Sequence, residues 1–312
     1  MSATRSSSPR GVAAILASAV LFGVVFLLSG TVDTPTDIVF GGRMIVTAAC
    51  YALALLHPTP RRLLGDFWRT LTGRPGTILI WLPLCAIMGF QLWLFSWAPQ
   101  HGHALDASLG YLILPLTLVL GGRFVLGDHV TGAQWAAVAV AVTAVTVKFT
   151  LTPQVSWVTF VVCLGYPVYF ITRRRAGLDN PMAFGAEVAA VVPVAALLLI
   201  CAEPQQGRLD VVPLLTIWFS GAAAMTVYLV AARLLTIPLF GLLGYVEPIL
   251  LVVVSLLLGE RMTGGDVLTY GLLAAALLLL AVDGHRTARR RGDREGGPPQ
   301  VGAPVADDGG RT

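Results

Sequence analysis

Of the 312 residues, 12% are charged and 56% are hydrophobic, whereas a soluble domain carries roughly 25% charged residues. A chain built around one soluble core is excluded. The formal charge of +4 sits in clusters at the ends of apolar runs, where it orients a chain in a membrane and meets anionic lipid, so no nucleic-acid partner is expected.

In chain order, apolar runs of spanning length fall at about 11–30, 38–56, 77–98, 107–126, 132–149, 156–172, 182–201, 211–234, 238–258 and 266–283. Each is close to the roughly 20 residues that cross a bilayer core. Ten transmembrane helices are predicted, with short links near 99–106 and 234–238 dividing runs that hydropathy alone would nearly fuse. The first run follows Arg5 and Arg10 as a signal peptide would. It is longer than a signal core, however, and Ser29-Gly30-Thr31 offers no Ala-x-Ala cleavage site, so a retained helix is expected.

The basic residues set the orientation. With an even number of spans and a cytoplasmic start, 17 of the 21 basic residues fall inside, among them Arg61, Arg62, Arg173, Arg174, Arg175 and Arg289 to Arg291. Only Lys148, Arg208 and Arg261 fall outside, and Arg43 lies within a span. This asymmetry predicts both termini in the cytoplasm and an integral protein of the cytoplasmic membrane. Residues 1–10 form a short cytoplasmic tail, and 284–312, rich in Arg, Gly, Pro and Asp without apolar periodicity, are expected to be a disordered one.

Cys50, Cys85, Cys163 and Cys201 are scattered through apolar runs without Cys-x-x-Cys spacing, and the histidines form no His-Glu-x-x-His pattern. No metal site, disulfide framework or cofactor is expected. The absence of a Gly-x-x-x-x-Gly-Lys-Ser/Thr pattern argues against direct use of ATP.

One stretch repeats. Leu109-Gly110-Tyr111, Pro115 and Leu126-Gly127-Asp128-His129-Val130-Thr131-Gly132 recur as Leu243-Gly244-Tyr245, Pro248 and Leu258-Gly259-Glu260-Arg261-Met262-Thr263-Gly264. Five spans separate the copies, an odd number, so the first Gly-acid turn faces the cytoplasm and the second faces outside. The predicted fold is therefore all-α, with residues 11–149 and 156–283 as two inverted five-helix repeats. Secondary transporters commonly use this scaffold, because two near-equivalent halves can exchange which side of a midplane site is open.

The run from Phe95-Ser96-Trp97-Ala98 through His103-Ala104-Leu105-Asp106-Ala107-Ser108-Leu109-Gly110-Tyr111 and Pro115-Leu116, then Leu126-Gly127 and Gln134-Trp135, resembles the RarD subgroup of EamA-type drug/metabolite transporters. Tyr245, Glu247-Pro248 and Leu258-Gly259-Glu260-Arg261 resemble the wider EamA pattern. The resemblance covers about residues 11–283 and implies a ten-helix permease whose central cavity is built by both halves. The chain departs from the RarD pattern at Gly42, Val46, Thr47 and Leu114, where that pattern has His, Trp, Ser and Asn.

Glu247 is the costliest residue. A carboxylate at mid-span costs roughly 3 kcal/mol or more unless it is paired, protonated or facing a wet cavity. Arg43 is expected about 9 Å deep from outside and Glu247 about 14 Å from the cytoplasm, at 1.5 Å per residue. In a core of about 30 Å their levels differ by about 7 Å, so either the two pair or Arg43 snorkels to the interface. Pro115 and Pro248 withhold hydrogen bonds from the carbonyls of Tyr111 and Gly244, which marks Gly110, Pro115, Gly244 and Pro248 as helix breaks or packing kinks. Gly41, Gly42, Gly241 and Gly244 allow close helix contact.

Helical spacing pairs Gln91 with Phe95, Trp93 with Trp97, and Tyr166 with Tyr169. The expected lining of a central cavity is thus Glu247, Arg43, Tyr111, Tyr245, Gln91, Phe95, Trp93, Tyr166 and Tyr169, a set suited to a flat or amphipathic solute. Trp97 can instead join the interfacial aromatic belt, and Glu187 reads as an interfacial carboxylate. The function expected is a secondary permease that exports a small organic solute (a drug, metabolite or amino-acid-like molecule), with protons as a candidate coupling ion and lipid as its surroundings. A membrane enzyme on a lipid-linked substrate would need convergent catalytic groups, for which His101 to Asp106 are thin, and an adaptor would need a folded soluble domain.

Overall fold

The computed structural model of the protein describes residues 9–127, 130–151, 156–180, 182–202, 211–235 and 243–295. Among them the chain forms eleven α-helices and one π-helical turn, with no strand. Ten helices fall on the ten apolar runs: α1 (Pro9–Thr31), α2 (Thr36–Ala54), α4 (Pro75–Gln100), α5 (Ala104–Gly121), α6 (Gly132–Leu151), α7 (Trp157–Arg175), α8 (Ala183–Cys201), α9 (Val211–Leu234), α10 (Val246–Leu257) and α11 (Gly264–Glu295). Six of these are long and apolar enough to cross a membrane. Leu79, Phe124, Ile200 and Val212 turn outward and are largely exposed, as hydrocarbon requires and water would penalise. The chain is an integral membrane protein.

The remaining helix, α3 (Pro58–Thr72), follows a different pattern. Pro58 opens it, the His57 ring nitrogen Nδ1 accepts from Thr59 N at 3.4 Å, and Phe67 and Leu71 are buried against the bundle while Arg61, Arg62 and Arg69 stay exposed. One apolar stripe and one basic face make it an amphipathic helix. Its charge sets it apart from the apolar runs. Helix α11 also departs from expectation, continuing to Glu295 through residues assigned to a disordered tail from 284. Ala288 and the arginines around it are good helix formers that extend an already nucleated helix.

Helix pairing between the first five of these ten helices and the last five has an internal regularity, which pairing within each five (α1 on α4, α2 on α4) does not share. If α1, α2, α4, α5 and α6 are matched with α7, α8, α9, α10 and α11, the packing of α1 on α9 has its counterpart in α4 on α7. Likewise α5 on α7 corresponds to α1 on α10, and α2 on α9 to α4 on α8, while α2 with α8, α5 with α10 and α6 with α11 map onto themselves. The two Gly-acid turns share a backbone conformation, with Gly127 at φ 74° and Gly259 at φ 89°, a left-handed region open to glycine without steric cost.

Polar ties hold the repeat-bearing helices together. The Glu260 carboxylate, just beyond α10, accepts from Ala104 N and Leu105 N at 2.7 Å each, so it caps the first turn of α5. Tyr270 of α11 donates to the Leu105 carbonyl at 2.6 Å, and Ser108 meets Ser255 at 3.0 Å. Lys148, at the end of α6, pairs with Asp266 at the start of α11. On the other side of the bundle, Trp218 of α9 lies across α2 and donates to the Val39 carbonyl at 3.0 Å. A Cβ on Gly42 would come within 2.1 Å of its indole, which is why this position holds glycine.

Candidate functional site

A cavity of about 350 Å³ lies where α1, α2, α4, α5, α7, α8, α9 and the start of α10 converge. Arg43, Phe95, Tyr111, Tyr166, Tyr245 and Glu247 all line it, so both repeat-bearing segments reach one space. The wall is mostly aromatic. Tyr111 and Tyr166 share a hydrogen bond between hydroxyls at 3.2 Å, Phe95 packs edge-on to Tyr111 at 5.9 Å, and Tyr166 stacks on Phe170 at 6.1 Å.

Arg43 enters from the middle of α2 and is 4% exposed. Its guanidinium carbon stands 5.5 Å from the centre of the Phe95 ring, an attractive cation–π geometry. The Nη1 atom is buried without a hydrogen-bond partner. Such a donor is costly to leave unmet, and a solute acceptor in the cavity would meet it. Arg43 does not snorkel. Nor does it pair with Glu247, since among the described residues no ion pair within 4.0 Å joins them.

Glu247 sits in the first turn of α10. Leu243 and Gly244 are helical, Tyr245 forms a turn and α10 begins at Val246, so the interruption falls at Tyr245. Pro248, two residues into α10, occupies a first-turn position whose N–H has no intrahelical partner anyway. Pro115 is different, lying inside the continuous helix α5. The expected pair of matching breaks is therefore one interrupted helix and one proline within a helix, although both prolines and Gly244 line the cavity. Among the described residues, Gly244 has no neighbour that a Cβ would meet. Gly110, by contrast, serves packing, because a Cβ there would lie 2.9 Å from the Thr159 carbonyl oxygen of α7. Gly241 lies outside the described residues.

Three expected lining residues lie elsewhere. Gln91 is buried and donates from Nε2 to the Val161 carbonyl at 2.7 Å, tying α4 to α7. Trp93 donates to Asp37 at 3.0 Å and faces a separate cavity at the end of α4. Tyr169 is fully buried, donating to Glu187 and accepting from Arg173. The helical rule that pairs i with i+3 or i+4 is satisfied, but a face about 100° wide can be divided between the cavity and an adjoining helix. Glu187, expected as an interfacial carboxylate, is buried within the protein. It is 0% exposed, with Arg173 Nη1 at 3.6 Å, and Arg173 also donates to the carbonyls of Leu178 at 3.1 Å and Asn180 at 2.9 Å.

The cavity also takes in Phe22, Met44, Met88, Phe184, Met225 and Tyr228, which no motif marked. Apolar residues in an apolar helix carry no signal of which way they face. Thr47 and Leu114, two positions at which the chain departs from the RarD pattern, line the cavity as well. The arrangement offers a buried, underused hydrogen-bond donor, a carboxylate and an aromatic wall, with no group of His, Cys, Asp or Glu among the described residues that could hold a metal.

No family model matches the chain. Full-length relatives do. An uncharacterized transporter of Pasteurella multocida is 34% identical over 289 residues, covering 90% of this chain and 99% of the relative. The chloramphenicol-sensitive protein RarD of Pseudomonas aeruginosa is 35% identical over 300 residues, covering 92% and 98%, and Protein RarD of Escherichia coli is 25% identical over 72% and 78%. A solved crystal structure matches 90% of this chain and 99% of its own at a TM-score of 0.52 with 14% identity, a likeness of fold alone. With apolar spanning helices converging on a cavity and relatives of this identity along nearly their whole length, the chain belongs to the RarD-type family of membrane transporters.

Proposed function

We propose that the protein is a secondary permease of the cytoplasmic membrane that exports a small organic solute by alternating access, with both termini cytoplasmic. Ten helices form two inverted EamA-like repeats, residues 11–149 and 156–283, and the solute binds between them. The mirrored helix pairing and the shared left-handed glycines of the Gly-acid turns support the repeat. One observation carries the site: Arg43, with Nη1 unpartnered, and Glu247 face one aromatic-walled cavity reached by both repeats.

In this mechanism Arg43 binds an anionic or carbonyl group of the solute, and the rings of Phe95, Tyr111 and Tyr166 hold its flat body. Glu247 exchanges a proton as the cavity is wetted or filled, because a carboxylate in so apolar a site changes charge state with its surroundings. The interruption at Tyr245 supplies a pivot, since backbone groups released there can rebond to water or solute. Alternation then amounts to a rocking of one repeat against the other around the site.

The test is flux in proteoliposomes holding the full chain, screened with amino acids, amphenicols and nucleosides under an imposed proton gradient. Glu247→Gln is expected to insert normally, lose gradient-driven flux and retain at most exchange. Unchanged flux and pH dependence in that variant would mean the carboxylate is structural.

A further inference from the structure

A second cavity, of about 480 Å³, opens beside the link between α1 and α2 at the C-terminal end of α4. It is separate from the central one and shares no lining residue with it. Asp33 and Asp37 contribute carboxylates, Trp93 and Trp97 form one wall, and Thr34 and Gln100 complete the floor. No lysine or arginine lines it among the described residues.

The walls are held in place before anything binds. Trp93 donates to Asp37 Oδ1 at 3.0 Å, which orients that carboxylate against the ring. Trp93 stacks on Trp97 at 5.7 Å, and Trp97 in turn stacks on His101 at 4.3 Å. Gln100 accepts from the Thr36 hydroxyl and donates to the Thr34 carbonyl at 2.9 Å, so the link between α1 and α2 is fixed to the end of α4. Thr34 is only 2% exposed, and its hydroxyl has no hydrogen-bond partner. A buried hydroxyl left open in an otherwise satisfied wall is a position for a ligand atom.

Carboxylates converging on one space favour positive charge through their Coulomb field, and the stacked rings of Trp93 and Trp97 give an organic cation's apolar body a wall to pack against. The unpartnered Thr34 hydroxyl adds an acceptor for an N–H group, which favours an ammonium over a fully substituted nitrogen. We propose that this cavity is a binding site for an organic ammonium ion, distinct from the central solute site.

The probe is benzylammonium, charged at pH 7, measured by equilibrium dialysis on the full chain in nanodiscs. Saturable binding is expected, displaced by unlabelled benzylammonium but not by benzyl alcohol or benzoate, which have similar shapes without the positive charge. Asp37→Asn keeps an acceptor for Trp93 and removes only charge, so it should weaken binding at least tenfold. Thr34→Val and Trp97→Leu should each weaken it about fivefold while the protein remains monodisperse. Glu247→Gln should leave this binding unchanged, which separates the site from the central cavity whatever becomes of the transport mechanism. The proposal is overturned if no saturable binding occurs, if benzyl alcohol competes as well as the cation, or if Glu247→Gln abolishes binding that Asp37→Asn leaves intact.

Discussion

Glu260 clips the end of α10 to the start of α5, and Glu260→Ala tests how much of the bundle depends on that clip. Two hydrogen bonds of 2.7 Å are lost, and Ala104, one of the two donors, is 0% exposed, so water cannot readily replace the carboxylate there. A helix cap is worth about 0.5–2 kcal/mol. With two bonds made to a charged group at the positive end of a helix, a loss of about 2–4 kcal/mol is expected. At roughly 2 °C per kcal/mol for a chain of this size, the apparent melting temperature should fall by about 4–8 °C. Glu260→Gln retains one acceptor oxygen and should fall about half as far. Arg261→Ala, exposed beside it, should change nothing beyond about 1 °C. Size-exclusion chromatography of detergent-solubilised protein after a heating series measures all three. The reasoning is refuted if Glu260→Ala melts within 1 °C of the parent, or if the Gln and Ala variants are indistinguishable.

The buried Arg173, Tyr169 and Glu187 network predicts a larger effect. Glu187→Ala strands Arg173 among buried groups and should cost about 3–5 kcal/mol, whereas Tyr169→Phe should cost about 1–2 kcal/mol, so the two melting temperatures should separate in that order. Arg43→Met removes a guanidinium whose Nη1 has no partner, so transport should fall at least tenfold with little loss of folded yield; a fall in yield that parallels the loss of flux would make Arg43 structural. For topology, cysteines placed at Gly102 and at Arg174, both exposed, in a cysteine-free background should label from opposite sides of the membrane with an impermeant maleimide. Labelling from one side would remove the inverted repeat.

The positions of the helices were largely legible in the chain. Spanning runs depend on local composition, and one apolar stretch of about 20 residues is sufficient evidence of itself. The Leu-Gly-acid echo was legible for a similar reason, because a left-handed turn needs glycine wherever it occurs, and Gly127 and Gly259 both adopt it. The site was legible only in part. Arg43 and Glu247 announced themselves through the cost of charge in an apolar run, and Tyr111, Tyr166, Tyr245 and Phe95 through aromatic content near the repeat. Gln91, Trp93 and Tyr169 carried the same signals and point elsewhere, since spacing gives the face of a helix and not the neighbour that covers it.

Charge and hydropathy thus determined that this chain lives in a membrane, where its helices run and which residues could not be there without a reason. These are properties of single segments in contact with lipid or water. Only the tertiary structure decided that Arg43 and Glu247 share a cavity without pairing, that Glu187 is buried with Tyr169 and Arg173, and that Glu260 caps a helix more than 150 residues away in sequence. In lipid every helix is already apolar, so hydrophobicity cannot select partners; close packing and a few buried hydrogen bonds do, and both exist only once distant segments have met.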